Sequence, residues 1–372
     1  MESGQRILLF KMKNDMYTIG VEEEFMICNP KTGDLIDRAD LIMNSIKPEH
    51  LDRFSYELIL SEIESNTSIN DNVRDTVDEI LKLRNMLKDI GNKNDFALGI
   101  SGTHPTAKTN DQVFVDNESY NWVSNQLRYY ATKNITFSTH VHIGLNDKDK
   151  MIYITNSLRR WIAPMLALTS NSPFFEGEFT GMKSARTFQF GLFPRTEIPS
   201  YIESYDSFLE IVDNYNRTNS ISKPRHIWWK IRPHLDFNTV EFRVCDAQRS
   251  IDKIEMIVAI LQALVRSIDI KKDYHLEYNY EYLTDGLWKA SSLGIDSKII
   301  DPYTKKISPM NEMVRIMIEY CKDSLKYFNN THIIKEVDNI LDTGTEADQQ
   351  ISCYEKLGME ELKLFLINEV NY

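Results

Sequence analysis

Four cysteines in 372 residues, Cys28, Cys245, Cys321 and Cys353, are too few and too scattered to organise a fold. No pair has CxxC spacing, so neither a thiolate zinc site nor a disulfide framework is expected, and free thiols in a reducing compartment are the simplest reading. A basic surplus is also missing. The formal net charge of -12 leaves nothing to neutralise a phosphate backbone, which argues against nonspecific nucleic-acid binding. No apolar run is long enough to span a bilayer, so no membrane partner is expected. Residues 1–16 hold only Ile7-Leu8-Leu9-Phe10 before Lys11 and Lys13, too little for a secretory signal, and the expected location is cytoplasmic. There is no GxxxxGK[ST] run, so a P-loop is excluded as a nucleotide site. Gly/Pro/Ser linkers, internal repeats and low-complexity tracts are absent as well, which favours a single domain over 1–372.

What remains is an ordinary globular composition, 42% hydrophobic and 26% charged. The first 250 residues mix strand-like runs with helices, and the last 120 or so read as almost entirely helical, so an α+β fold is expected. Helical stripes run over Asp75–Ile90, Asp147–Ser170 with Pro164 interrupting it, and Ile251–Ile270. Strand candidates are Tyr17–Ile27, Ala97–Ser101, Ile135–Leu145, Trp228–Ile231 and Thr239–Val244.

Three of these strands carry charge on alternate residues. In Gly20-Val21-Glu22-Glu23-Glu24-Phe25 a strand sends Glu22 and Glu24 to one face, opposite Val21 and Phe25. Paired buried carboxylates repel unless a cation sits between them, and a metal ion is the natural candidate. Glu23, on the other face, is expected to be a bystander. His140 and His142 of Ser138-Thr139-His140-Val141-His142-Ile143-Gly144 share a face and offer two imidazoles to one ion or phosphate. Glu241 and Arg243 of Thr239-Val240-Glu241-Phe242-Arg243-Val244 do the same. A solvated edge ion pair is the plainer alternative. The aromatic and cationic approach Trp228-Trp229-Lys230-Ile231-Arg232-Pro233-His234 favours a lined cavity.

A fourth segment, Tyr56 to Thr67, places Glu57 and Glu64 seven residues apart. That offset is two turns of one helix face, and a strand would bring them together only through a bend; an amphipathic helix with a solvated acidic side is the default reading. Arg186 and Arg195 lie in a loop-like region and suit bidentate recognition of carboxylate or phosphate. Acidic groups and imidazoles in this mixture suit Mg²⁺ or Mn²⁺, and carboxylate-held divalent ions facing arginines are what ATP-dependent phosphoryl transfer needs.

At this point the residues resemble a known family. GVEEEF, Gly102-Thr103-His104-Pro105, HVHIG, Ser172-Pro173-Phe174-Phe175-Glu176-Gly177, and IRPH followed by VEFRVCDAQ are similar, in order from about Tyr17 to Gly294, to the type-2 glutamate–cysteine ligases, also called carboxylate–amine ligases. Thr139 departs from the glycine frequent there, and residues 190–200 and the segment after Gly294 match loosely. The resemblance implies a glutamine synthetase-like fold, a curved antiparallel sheet with flanking helices, divided here into an N-terminal extension (1–16), a ligase core (17–294) and a helical C-terminal portion (295–372). It implies ATP and Mg²⁺ or Mn²⁺, with phosphorylation of the glutamate side chain and capture of the acyl phosphate by an amine, typically that of cysteine. It further implies metal binding by Glu22, Glu24, Glu57, Glu64, His140 and Glu241, a phosphate contact for His142, and substrate or ATP contacts for Arg243, Arg186 and Arg232, with Arg243 and Arg186 catalytic.

Other readings stay open at this level. They are the same chemistry with another amine acceptor, a non-catalytic metal- or amino-acid-binding protein of the same fold, or a metal-dependent hydrolase. A homo-oligomer is compatible with all of them. Removing Glu24 or Glu241 is expected to relieve repulsion and leave the fold intact.

Overall fold

The computed structural model describes residues 17–274 and 277–372; the N-terminal extension 1–16 lies outside the described residues. The strands, in chain order, are β1 (Ile19–Cys28), β2 (Phe54–Tyr56), β3 (Glu62–Asn66), β4 (Ala97–Gly99), β5 (Thr139–Gly144), the short pair β6 (Phe174–Phe175) and β7 (Glu178–Phe179), β8 (Ile231–His234) and β9 (Thr239–Phe242). A seven-stranded sheet runs β2-β3-β1-β5-β9-β8, with β4 also paired to β1, and every pairing in it is antiparallel.

Register determines what this sheet can do. Glu24 lies opposite Glu64, Glu22 opposite both Asn66 and His140, His142 opposite Glu241, and Glu241 opposite Arg232. Directly opposed residues share a face, so these polar side chains form one continuous band. A slip of one residue would send the band into the core, which is why the register is strongly specified. The other face is apolar: Val21, Val141, Ile143, Val240 and Phe242 are buried in one core, and Phe25 and Ile63 in a second.

Helices cover that apolar face. Ile251–Lys271 is buried on nearly every side and packs on β5 and on the helices Val73–Asn94, Lys148–Leu158 and Met310–Tyr327. A helix apolar all round belongs in such a position. The Val73–Asn94 helix starts where the Asn72 side chain accepts the Asp75 amide and ends at left-handed Asp95. The expected helix over 147–170 is split into Lys148–Leu158, a 3₁₀ turn Arg159–Trp161 and Ile162–Thr169. Pro164 has no N–H to continue the ladder, so the break comes just before it.

Three further secondary-structure expectations need correction. Residues 56–67 are a strand, a turn and a strand rather than a helix, and it is this bend that brings Glu57 and Glu64 to one site. The strand expected at Trp228–Ile231 lies instead at Ile231–His234; Pro233 is tolerated there because β8 is an edge strand. The C-terminal portion is helical but includes a two-stranded ribbon, Lys298–Ile300 with Ile307–Pro309. No helix of the described residues is long and apolar enough to cross a membrane, and all four cysteines are free.

Glu23 is no bystander. Its carboxylate takes Arg84 Nε at 3.1 Å and Nη2 at 2.6 Å, with both residues fully buried behind the sheet. The remaining Arg84 donors reach the carbonyls of Gln248, Arg249 and Asn371, each at 2.9 Å. All five guanidinium N–H groups are used, and one side chain ties β1, the segment after β9 and the C-terminus together. Arg84→Met strands a buried carboxylate and three carbonyls, and about 3–5 kcal/mol of stability should be lost. Urea denaturation measures it; a loss below about 1 kcal/mol would mean the pair does not hold the layers.

Candidate active site

The polar face of the sheet lines a cavity of about 510 Å³. Of the residues expected at the site, Glu22, Glu24, Glu57, Glu64, His140, His142, Arg186, Arg232 and Arg243 line it, and Glu241 is buried directly beneath. Arg195 does not; its Nε donates to the His226 carbonyl. Helix Glu118–Leu127 touches β2 at one edge of the sheet and the 3₁₀ turn Pro224–His226 ahead of β8. Tyr120 Oη donates to the Tyr56 carbonyl at 2.6 Å, and the Trp122 ring stacks on His226 at 4.2 Å. This helix carried no signal in the sequence reading.

The acidic end is built on β1, β3 and the turn before β3. Glu24 Oε2 accepts the Ser138 amide and hydroxyl, both at 2.6 Å. Glu22 bridges the two imidazoles, with Oε2 3.0 Å from His140 Nδ1 and Oε1 3.2 Å from His142 Nε2. Burial works against the Glu22 charge, but His142 and His140 hold its carboxyl well below the usual carboxylate range. Glu57, Glu62 and Glu64 behave oppositely. Burial, then repulsion from Glu24 and from one another, and from Glu22 at Glu57 and Glu64, pushes all three well above that range. Glu62 was not singled out from the sequence, although its offset of two from Glu64 in a strand is the signal for a shared face.

The two histidines differ. Burial and the neighbouring Arg243 pull His140 down, which favours the neutral ring that a metal ligand needs. Burial also acts against charge on His142, but Glu22 and Glu241 outweigh it and raise the ring, which favours a cation. Three sets of ligand atoms lie within 4.8 Å of one another: Glu22, Glu64 and His140; Glu22, His142 and Glu241; Glu24, Glu57 and Glu64. Oxygen and imidazole donors in clusters that share members fit hard divalent cations rather than zinc held by thiolates.

The cationic end is built on β8, β9 and the helix Ala185–Phe190. Glu241 accepts Arg232 Nε at 2.7 Å and Nη2 at 2.6 Å, and also pairs with Arg243. Burial opposes the charge, yet these two guanidiniums depress the Glu241 carboxyl strongly. Removing Glu241 therefore strands two buried cations rather than relieving repulsion, which corrects the sequence expectation. Arg232 also reaches the Arg225 and Ile227 carbonyls at 2.7 and 2.9 Å, so its guanidinium is committed to holding Glu241 and this loop.

Motifs that do not reach the cavity converge behind it on Asp246. Its carboxylate accepts the Asn171 amide at 2.8 Å, Ser172 Oγ at 2.7 Å and Ser184 Oγ at 3.0 Å, and faces Arg186 Nη1 at 3.8 Å. A Cβ on Gly102 would fall 2.7 Å from the Asp246 carboxyl carbon, so only glycine allows this approach. Arg186 is then held over the cavity by the carbonyls of Arg243 and Val244. The C-terminal helix Glu346–Leu357 joins through Glu346, which takes the amides of Arg249 and Ser250 and the side chain of Asn171.

Known proteins resemble this chain in sequence and in fold. The family model described as glutamate–cysteine ligase family 2 matches residues 18–365. A protein of Solibacter usitatus named "putative glutamate–cysteine ligase 2" is 30% identical over 362 residues, covering 95% of this chain and 94% of its own. One of the same name from Sorangium cellulosum is 31% identical, covering 91% and 92%. Among solved structures, the glutamate–cysteine ligase of Francisella tularensis in complex with AMP superposes with a TM-score of 0.70 at 13% identity, over 95% of this chain and 88% of that one. A bifunctional glutathione synthetase from Pasteurella multocida gives 0.71 at 12%, over 95% and 52%. At such identities the structures speak for the fold, which is the glutamine synthetase-like α+β fold. The match over residues 18–365 carries the assignment further: the chain belongs to glutamate–cysteine ligase family 2.

Proposed function

We propose that this protein is an ATP-dependent carbon–nitrogen ligase that joins the γ-carboxyl of glutamate to an amine, with cysteine as acceptor and γ-glutamylcysteine as product. The observation that carries the reading is the polarity of one cavity. Clustered carboxylates and imidazoles occupy one end and arginines the other, in a chain of this family.

Glu22, Glu24, Glu57, Glu64, His140 and Glu241 are the residues that would hold Mg²⁺ or Mn²⁺. Bound there, the ion neutralises the ATP phosphates and the charge that develops on the transferred group. The glutamate γ-carboxylate attacks the terminal phosphorus, and ADP leaves with the electron pair of the broken P–O bond. The acceptor amine then adds to the acyl phosphate carbonyl, loses a proton, and expels phosphate as the amide forms. His142 would contact the phosphates, while Arg243 and Arg186 would hold the anionic substrate and the charge of the transferring group.

Two outcomes follow. With Mg²⁺ and ATP, ADP should appear only when glutamate and an amine are both supplied, and a panel of amino acids and polyamines ranks the acceptor. Glu24→Gln should lower turnover at least about 100-fold. Failure of the wild type to consume ATP with any pair would discard the ligase reading; a normal Glu24→Gln rate would discard the site assignment.

A third outcome concerns pH. Glu57, Glu62 and Glu64 have raised folded-state pKa values, so the stability they contribute is complete below the unfolded value near 4.3 and is lost as pH rises through the raised values. Divalent ions bind the deprotonated cluster and restore what is lost. Millimolar Mg²⁺ or Mn²⁺ should therefore raise the melting temperature by a few degrees near about pH 8 and by much less near about pH 5. Thermal scans with and without metal check this, and an equal shift at both pH values would contradict it.

A further inference from the structure

The cationic end holds one residue to which the proposed reaction gives no task. Lys230 immediately precedes β8, and its carbonyl accepts the Arg243 amide at 2.9 Å. Its side chain is buried and its ammonium has no hydrogen-bond partner. A buried, unpaired ammonium is costly, so a fold retains one only against that cost. Burial, followed by the nearby Arg186, pulls its pKa down to about 7. Two neighbours share the condition: Nε of Arg186 and Nε of Arg243 are also buried without partners. Asp246, the acid that acts most strongly on this group, already accepts three hydrogen bonds from Asn171, Ser172 and Ser184.

Phe190 connects Lys230 to the cavity. Its ring centre lies 5.2 Å from Lys230 Nζ and 5.8 Å from the Arg186 guanidinium carbon. Phe190, Arg186 and Arg243 all line the cavity, and Phe190 is only part-buried, so the wall here is one aromatic side chain on a six-residue helix. Lys230 lies behind this wall rather than on the cavity surface, and three buried cationic groups with an unpartnered N–H, two of them lining the cavity, call for an anion with several lone pairs. A carboxylate supplies them.

We propose that Lys230, together with Arg186 and Arg243, forms a carboxylate subsite that makes Lys230 a specificity-determining residue for this enzyme. The inference rests on the ligase reading and deepens it, because it restricts one substrate to molecules with a carboxylate away from the bond-forming group. That carboxylate is either the α-carboxylate of the glutamate donor or the carboxylate of an amino-acid acceptor. A simple amine or polyamine offers these cations nothing and is repelled by them.

Calorimetry on the full chain, with Mg²⁺ and a non-hydrolysable ATP analogue, decides between them. The ligands are glutamate, its α-amide, cysteine and cysteamine, and the proteins are wild type, Lys230→Met and Lys230→Arg. Lys230→Met removes an unpaired charge and keeps the stem, so it should melt at or above the wild-type temperature; Lys230→Gln serves if it does not. Lys230→Met should weaken glutamate but not its α-amide, or cysteine but not cysteamine, at least about tenfold, and Lys230→Arg should recover most of it. The pair affected names the source of the carboxylate. Binding within about twofold of wild type for both acids, equal weakening within a pair, or a wild type that binds none of the four overturns the proposal. ADP release measured in parallel keeps the two readings apart: absence of turnover with clear binding removes the ligase reaction and leaves the subsite standing.

Discussion

Like-charge repulsion on one buried face of a sheet is the constraint from which the rest of this structure follows. Glu22, Glu24, Glu57, Glu62 and Glu64 line the same cavity, and burial strips them of the water that would screen them. The protein answers with position. β5 brings two imidazoles to Glu22, and β8 and β9 set two guanidiniums on Glu241. The three carboxyls of β3 and its preceding turn receive no comparable cation, and their raised pKa values record it. That imbalance is what a bound cation would relieve.

Holding such a face requires a rigid back. The opposite surface of the same strands is apolar and covered by helices, and the one charge on it, Glu23, is met by every donor of Arg84. Behind the cationic end, Asp246 and Glu346 gather loop amides and hydroxyls from distant segments. Both networks tie the strands and loops that carry the cavity's side chains to the segments packed behind them. The C-terminal helices take part in this frame through Glu346 and Gln350, consistent with a family match that runs to residue 365.

The legible part of the site was the part written in period two. ExE, HxH and ExR each place chemistry on alternate residues of one strand, and the strands were found where expected within a few residues. Glu57 and Glu64 do reach one cavity, through the bend rather than the default helix, since a hairpin and a helix both bring residues seven apart together. Other features rest on contacts far apart in the chain. Arg84 looked like one charge on an amphipathic helix, and only the fold sets it against Glu23, 61 residues away. Asp246, Lys230 and the helix Glu118–Leu127 are of the same kind: nothing local separates them from ordinary polar residues. Trp228–Ile231 was misplaced because aromatic bulk reads as strand, while Pro233 argued against the true one.

The central claim is that the carboxylate cluster on β1 and β3 is a divalent-cation site. Anomalous diffraction from crystals soaked in Mn²⁺ tests it most directly, because it places the ion without reference to activity. Anomalous peaks are expected inside the cavity, within coordination distance of carboxylate oxygens of Glu22, Glu24 and Glu64. Crystals that take up Mn²⁺ only elsewhere, or show no peak in the cavity with these side chains ordered, would contradict it.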